Sequence, residues 1–278
     1  MHIWLSQLPA WVGLLIFTAV PAVVAVFLHA LFRRVVSPSG LLPHHEVAGF
    51  LIAVVGVIYA VVLGFLVVTV WVAFDDAQRT ADLEAGDVAE LFSIARAFPQ
   101  PVRSRLQTIM ADYAFEVRDR EWPMLVHGEQ DMRARSIYND ALPVVGSSSH
   151  KSGISTVEAI SRVAVEQTAF TVLHSLSEHR RERLIAADSG LPAGLYFTLI
   201  VGALMVVAFV FLFGVDNQTL QLTMTALIVG IMGLLIGVIV EVDRPYSGAI
   251  RVSPQAWTLV IRNNDLARYR THTAAEDR

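Results

Sequence analysis

Long apolar segments alternate with polar ones along this chain, and the longest apolar segment runs from Val47 to Phe74. Its 28 residues include no charged side chain, and two aspartates, Asp75 and Asp76, follow it directly. A helix of this length would measure about 42 Å, which exceeds the ~30 Å hydrocarbon core of a bilayer. Because a helix in a soluble core is not apolar on every face for this long, we predict a membrane span. Three more spans are predicted, at about residues 10–32, 195–213 and 220–240.

Between the second and third spans the chain becomes polar, and its apolar positions recur at helical spacing. We expect helices at about residues 75–97, 101–122 and 129–142, with Pro123 ending the second of them. A loop is predicted at residues 143–153, and a long helix is predicted to start at Ser155. The polar run from Glu178 to Arg183 in that helix is expected to be a solvated face.

These elements predict an all-α fold, a four-span helical integral membrane protein with a helical extramembrane domain between spans 2 and 3. Residues 1–76 would hold the first two spans and residues 77–190 the water-facing domain. Residues 191–240 would hold the last two spans, and residues 241–278 would form a C-terminal helical tail.

Composition narrows the class of partner and of chemistry. Only 17% of the residues are charged, against about 25% in soluble domains, so the lipid bilayer is the expected environment. The net charge of −4 argues against a nucleic-acid partner, and the lack of cysteine excludes thiol chemistry. No phosphate-binding loop or nucleophile motif is visible, and the run His44, His45 and Glu46 has poor spacing for a metal site. We therefore expect no enzyme activity, no cofactor and no metal.

Small residues recur at helix-packing intervals in two spans. Gly56, Ala60 and Gly64 lie at i, i+4 and i+8 in the second span, and Gly233 and Gly237 form a GxxxG step in the fourth. We expect the fourth-span pair to serve helix packing. The second-span stripe is either a packing seam or the wall of a pore whose narrow part is apolar.

Acidic residues follow the second and fourth spans. Asp75 and Asp76 follow the second, whereas Glu241 and Asp243 follow the fourth. All four are candidates for an ion-binding pore mouth. Asp243 has a second possible role, a structural ion pair with Arg244, and Pro245 is expected to hold a turn there.

Four spans place both termini and the helical domain on the same side of the membrane. Six arginines flank the spans on that side, whereas only Arg33 and Arg34 lie on the other, which favours a cytoplasmic domain and cytoplasmic termini. His29, near the end of the first span, is expected to be a partly solvated interfacial residue.

The segments GFLIAVVGVIYAVVLGFLVVTVWVAFDDA and EVDRPYSGAIRVSP resemble the bestrophin-like family of bacterial and plant membrane proteins, a family without an established activity. Its layout of spans and domain is similar, more remotely, to that of bestrophin ion channels. The resemblance implies a bacterial inner-membrane protein and a homo-oligomer, by analogy a pentamer. It also implies that Val47–Phe74 would line the pore and that Asp75 and Asp76 would ring its domain-side end.

Two functions remain open at this stage. The spans carry few polar residues, which disfavours a transporter or an intramembrane enzyme. A symmetric oligomer could still conduct ions through an apolar pore between subunits, with an acidic mouth that favours cations. The alternative is a non-conducting scaffold or signalling subunit whose helical domain binds a partner.

Overall fold

The computed structural model describes residues 9–36, 45–127, 129–147, 156–213 and 217–270. This part of the chain is helical and contains no strand, which confirms the predicted fold class. The helices are α1 (Ala10–Val35), α2 (His45–Ile94), α3 (Val102–Glu116), α4 (Trp122–Leu125), α5 (Met132–Gly146), α6 (Thr156–Asp188), α7 (Ala193–Phe211), α8 (Gln218–Val242) and α9 (Gln255–Asn263). Short 3₁₀ helices follow α2 and α9, at Ala95–Ala97 and Leu266–Arg268.

Four helical stretches are long and apolar enough to cross a membrane. They are Ala10–Val35, Gly49–Ala97, Ala159–Phe211 and Gln218–Val242, and each includes all or most of one predicted span. The second contains most of α2, a 50-residue helix that continues past Asp76 without a break. The end of the apolar run therefore does not end the helix.

The chain forms two compact units. The membrane unit comprises Met1–Phe74, Ser189–Arg244 and Gly248–Arg251, and the helical domain comprises Asp75–Asp188, Pro245–Ser247 and Val252–Arg278.

Apolar side chains from three helices form the core of the membrane unit. The face of α2 at Tyr59, Leu63, Leu66 and Val70 is buried with Leu199 and Val206 of α7 and with Met232, Ile239 and Val242 of α8. The α2 positions follow the i, i+4, i+7, i+11 spacing of one helix face. Partly buried residues of α2, among them Val55, Val62 and Val67, pack against this core.

In the helical domain, two helices extend past prolines that were expected to lie at or beyond their ends. Helix α3 continues through a π-helical turn at Val117–Glu121 into α4. Pro123 lies in the first turn of α4, where proline is tolerated, so the expected end near this residue is wrong. Helix α5 includes Pro143 and ends at Gly146, so the predicted loop begins later than expected.

The expected helix start at Ser155 lies outside the described residues, as do positions 148–153 of the expected loop. His44 also lies outside them, and so do the side chains of His45 and Glu46, so this weak metal motif stays untested.

Candidate pore helix and buried polar clusters

The small-residue stripe of α2 borders an open groove in the membrane unit. Gly56, Ala60 and Gly64 line this groove, whose volume is about 490 Å³. The rest of its lining is apolar and comes from three helices, with Tyr59, Leu63 and Val67 of α2, Val206 of α7, and Ile228, Ile231, Met232 and Leu235 of α8. A Cβ built on Gly56 or Gly64 meets no atom of the described residues within 4 Å, apart from the adjacent backbone of α2 itself. At these two glycines the stripe is therefore not packed against another described helix.

The glycines of α8 have the opposite surroundings. A Cβ on Gly233 would overlap the carbonyl oxygen of Phe17, and one on Gly237 would lie 2.8 Å from the Phe17 Cβ. Neither position has room for a methyl group, so these two glycines permit α1 and α8 to approach closely. The predicted packing role fits this geometry.

Tyr59 fixes α2 against α7 at the edge of the groove. A Cβ on Gly202 would lie 2.6 Å from the Tyr59 ring, so the ring occupies the space that this glycine leaves open. The Tyr59 hydroxyl donates a hydrogen bond of 3.0 Å to the carbonyl of Leu199. Ring packing and hydrogen bond together hold the register between the two helices.

The four candidate acids differ in their surroundings. Asp75 and Asp76 are exposed on α2. Glu241 is buried, and one of its carboxylate oxygens lies against Gly13. The other oxygen accepts a hydrogen bond of 3.3 Å from the backbone N–H of Ala249. The Glu241 carboxylate thus faces the interior of the membrane unit, which does not suit a water-facing pore mouth.

Asp243 binds the start of α7. Its carboxylate accepts hydrogen bonds from the backbone N–H of Leu191, at 2.6 Å, and from the Tyr196 hydroxyl, at 2.8 Å. Each of the two carboxylate oxygens of Asp243 thus accepts one of these hydrogen bonds. The predicted ion pair with Arg244 stays a prediction.

The backbone after Asp243 forms the expected turn. The Arg244 carbonyl accepts from the N–H of Gly248, and a Cβ on Gly248 would overlap the carbonyl oxygen of Glu241. Within the helical domain, the Pro245 carbonyl accepts from the N–H of Val252 at 2.7 Å. Arg244 and Pro245 thus contribute to the turn through their carbonyl groups.

Four charged side chains meet in the interior of the helical domain. Glu84 of α2 accepts from the Arg183 guanidinium, and Glu121 accepts from both Arg183, at 2.7 Å, and Arg180, at 2.8 and 2.7 Å. The Tyr113 hydroxyl donates to Glu84 at 2.7 Å. This set, the buried charge cluster, joins α2, α3, the π-helical turn and α6.

The expectation that the run from Glu178 to Arg183 is solvated is wrong for two of its arginines. Arg183 is fully buried and Arg180 is 7% exposed. One signal in the sequence indicates this, because the two arginines continue the spacing of the buried residues Leu173 and Leu176 along one face of α6.

Electrostatics keep the cluster charged and balanced, with two carboxylates and two guanidinium groups. Burial alone would lower the pKa of Arg183, but the carboxylates of Glu84 and Glu121 outweigh burial and raise it well above its usual value. Burial, and then the Glu84 charge, raises the pKa of the Tyr113 hydroxyl well above its ordinary value. Tyr113 therefore stays a neutral donor, and the cluster is suited to holding helices together rather than to proton transfer.

A second polar cluster lies inside the membrane unit. His29 is fully buried, so the expectation of a partly solvated residue is wrong. Its Nδ1 atom is 2.8 Å from the Thr225 hydroxyl, and its Nε2 atom is 3.0 Å from the side-chain nitrogen of Gln221. The ring of Phe211 stacks on the imidazole at a centroid distance of 4.5 Å. The sequence gives no local sign of this cluster, because its members are about 190 residues apart along the chain.

Among the described residues, no three His, Asp or Glu side chains come together in a way that could hold a metal ion.

Comparison with solved structures identifies the fold. A bacterial bestrophin homologue from Klebsiella pneumoniae, solved as a single-residue variant, superposes with a TM-score of 0.64 at 13% identity, covering 88% of this chain and 98% of its own. A bacterial bestrophin homologue from the same organism, phased by Zn-SAD, has a TM-score of 0.60 at 14% identity, covering 89% of this chain and 97% of its own. No curated protein sequence matches the chain.

The structural similarity shows the fold, whereas comparison with family models also assigns the chain to a family. The family model of the Bestrophin-like domain matches residues 17–257, which is most of the chain and includes all four apolar stretches in whole or in part. The resemblance inferred from the two sequence motifs is thus confirmed. The chain is an integral membrane protein, and it belongs to the bestrophin-like family.

Proposed function

We propose that the protein is an oligomeric ion channel whose pore lies between subunits and is lined by α2. The observation that carries this proposal is the uncovered stripe at Gly56, Ala60 and Gly64. At its two glycines, no other helix in the described part of the chain comes within 4 Å of an added Cβ. The family's resemblance to bestrophin ion channels supports the same arrangement.

A path through a single subunit is disfavoured by packing. The inner face of α2 is buried with α7 and α8 in a continuous apolar core, which leaves no row of polar groups for an ion to follow. The stripe lies beside this core and opens outward. A symmetric assembly, by analogy a pentamer, would bring five such stripes around one axis, where an apolar constriction can gate by wetting and dewetting.

Helical periodicity separates the two aspartates after the span. Asp75 follows Gly64 by eleven residues, about three full turns, so the two positions differ by only about 20° around α2. Asp76 is turned about 100° further. If the stripe faces the pore axis, Asp75 contributes the charged ring at the mouth and Asp76 does not.

The pore mouth that we propose therefore includes fewer residues than the four candidate acids. Glu241 and Asp243 are left out, because their carboxylates already accept hydrogen bonds within the subunit. A ring of exposed carboxylates raises the local concentration of cations, so the channel is proposed to favour cations.

The charge ring is tested by ion flux across liposomes containing the purified protein. Asp75→Asn should lower the permeability of cations relative to anions by up to about tenfold at low salt, and the matched variant Asp76→Asn should change it much less. Absence of flux in the wild-type protein under any cation or anion gradient would refute the channel. Equal effects of the two variants would refute the proposed orientation of α2.

The stripe itself is tested with single cysteines, which the chain permits because it has none of its own. Gly64→Cys should react with a membrane-impermeant thiol reagent and should lose flux on reaction. Ile58→Cys, on an outward face of α2 about 120° away, should do neither. Particle symmetry of the purified protein tests the assembly, and a monomer would exclude a pore between subunits.

We also propose that the helical domain and both termini are cytoplasmic, in the inner membrane of a bacterium. The arginine distribution around the spans supports this orientation. Labelling of a single cysteine at the exposed Arg181 position in intact cells and in lysed cells tests it, and labelling in intact cells would reverse the topology.

The alternative is a non-conducting scaffold or signalling subunit. Ile160 and Val163 of α6 favour it, since these apolar side chains are exposed on the helical domain and could contact a partner protein. An intact oligomer that passes no ions, but whose domain retains a partner through these residues, would support this alternative.

A further inference from the structure

The buried position of His29 in the membrane unit calls for a physical explanation. An ionisable side chain at membrane depth is costly, and such residues often serve a function. His29 belongs to a closed set of hydrogen bonds with Thr225, Gln221 and the backbone of Phe213. None of these groups belongs to the groove or to the proposed pore mouth.

The hydrogen-bond partners assign the proton on the imidazole. The side-chain nitrogen of Gln221 donates to the carbonyl of Phe213, so it is this nitrogen and not the amide oxygen that faces His29 Nε2. Nε2 must then accept. The proton consequently lies on Nδ1, which donates to the Thr225 hydroxyl, and that hydroxyl donates to the Gln221 carbonyl at 3.0 Å.

A second proton would change this arrangement. With hydrogen on both ring nitrogens, Nε2 would face the N–H groups of Gln221 and lose its donor. The side-chain oxygen Oε1 of Gln221 is buried and without a hydrogen-bond partner, so it is the acceptor available. A half-turn of the amide brings Oε1 to His29 Nε2 and takes the amide N–H away from the Phe213 carbonyl.

We propose that His29 is a proton-binding site of the membrane unit, and that one proton exchanges the Gln221 contact with Phe213 for a contact with His29. The proton comes from the aqueous phase, and the imidazole gains one positive charge. The site thereby links the α1–α8 contact to the end of α7.

Few charges face this site. On α1, Arg33 lies one turn beyond His29 and repels an added positive charge. Helix α8 contributes only the uncharged Gln221 and Thr225, and α7 contributes the Phe211 ring. The neutral state is thus the resting state, and the proton-bound state forms on acidification.

The effect on conduction rests on the proposed function. Ile228, which lines the groove, follows Thr225 by one helical turn on α8. A rearrangement at Gln221 and Thr225 therefore acts on the same helix that forms one wall beside the stripe.

Imidazole ¹⁵N NMR of the purified protein in nanodiscs tests the site without requiring conduction. At about pH 8, wild-type protein should show one histidine with hydrogen on Nδ1, and this signal should be absent from His29→Asn. The matched control His174→Asn, at an exposed histidine of the helical domain, should retain it. A signal with hydrogen on Nε2 at this site would overturn the assignment. On acidification the His29 signal should change to that of an imidazolium with hydrogen on both nitrogens, and a His29 ring that stays neutral down to about pH 5 would overturn the proton site.

Thermal denaturation gives the second readout. From about pH 8 to pH 5, the denaturation midpoint of wild-type protein should fall by about 3 °C or more beyond that of His29→Asn, whereas His174→Asn should follow the wild type. Equal slopes in wild type and His29→Asn would show that the folded protein does not hold His29 neutral, which would overturn the proposed resting state. If flux is absent in all variants but the NMR and denaturation results hold, the channel fails and the proton site stands.

Discussion

The buried charge cluster permits a quantitative test of how the helical domain is held together. Replacing Arg183 by Met removes one of two positive charges and leaves the carboxylates of Glu84 and Glu121 buried with Arg180 alone. Breaking a buried ion pair by removal of one partner costs about 3–5 kcal/mol. Since Arg183 is fully buried and binds both carboxylates, the upper part of this range applies.

This cost should appear as a large shift in thermal stability. For a protein of this size, about 1 kcal/mol corresponds to roughly 2–4 °C, so Arg183→Met should lower the denaturation midpoint by roughly 10 °C. The measurement is a fluorescence-monitored melt of purified protein in detergent. The control is Arg181→Met, an exposed neighbour on α6, which should change the midpoint by no more than about 2 °C.

A double substitution separates lost charge balance from lost packing. Combining Arg183→Met with Glu84→Gln restores one positive and one negative charge in the cluster. The double variant should therefore be more stable than Arg183→Met alone, because the unpaired buried carboxylate is gone. A single variant no less stable than the Arg181 control, or a double variant as unstable as the sum of its parts, would refute the reasoning.

Three further predictions concern single residues, each checked by the same melt. Gly237→Ala should lower the free energy of unfolding by about 1–3 kcal/mol, because its Cβ would lie 2.8 Å from the Phe17 Cβ. Gly64→Ala, in open space, should stay within about 0.5 kcal/mol of wild type, and the reverse order of the two variants would contradict the packing. Tyr59→Phe should cost about 1 kcal/mol through its lost hydrogen bond, and an unchanged midpoint would show that this bond adds nothing. Glu116, at the end of α3, forms ion pairs with Arg120 and Arg133, yet burial raises the pKa of its carboxyl above the usual value, so the folded state loses stability as the pH rises and this group ionises. The stability of Glu116→Gln relative to wild type should therefore increase from about pH 4.5 towards pH 7, and a relative increase on acidification would contradict this sign.

The spans and their seam were predictable because the signals are local. A run of 28 residues without charge has few alternatives to a membrane helix, and the structure places a helix there. The GxxxG step at Gly233 and Gly237 likewise predicts a close helix contact, which α1 provides. Length and spacing along one helix sufficed in both cases.

The partners within the two polar clusters were not predictable because they are distant along the chain. Arg183 binds Glu84, which lies 99 residues earlier, so the neighbouring charges on α6 suggested a solvated face. Inside the membrane unit, His29 binds Thr225 and Gln221, whose positions in α8 show only a weakly polar start of a span. The spacing of Arg180 and Arg183 with the buried Leu173 and Leu176 indicates a buried face, but it does not show which carboxylates bind the two arginines, because that depends on which helices pack together.

The two glycine stripes show why spacing alone could not assign a pore wall. Gly237 and Gly64 lie in equivalent patterns, yet Phe17 covers Gly237, whereas no other helix among the described residues covers Gly64. A face that only meets acyl chains gains nothing from small residues, because lipid packs equally well against leucine or valine. An uncovered row of small residues in a span therefore indicates either a neighbouring helix or an open volume. Since Asp75 continues the side of α2 on which Gly64 lies, an oligomer axis on that side would bring apolar constriction and carboxylate ring into one path.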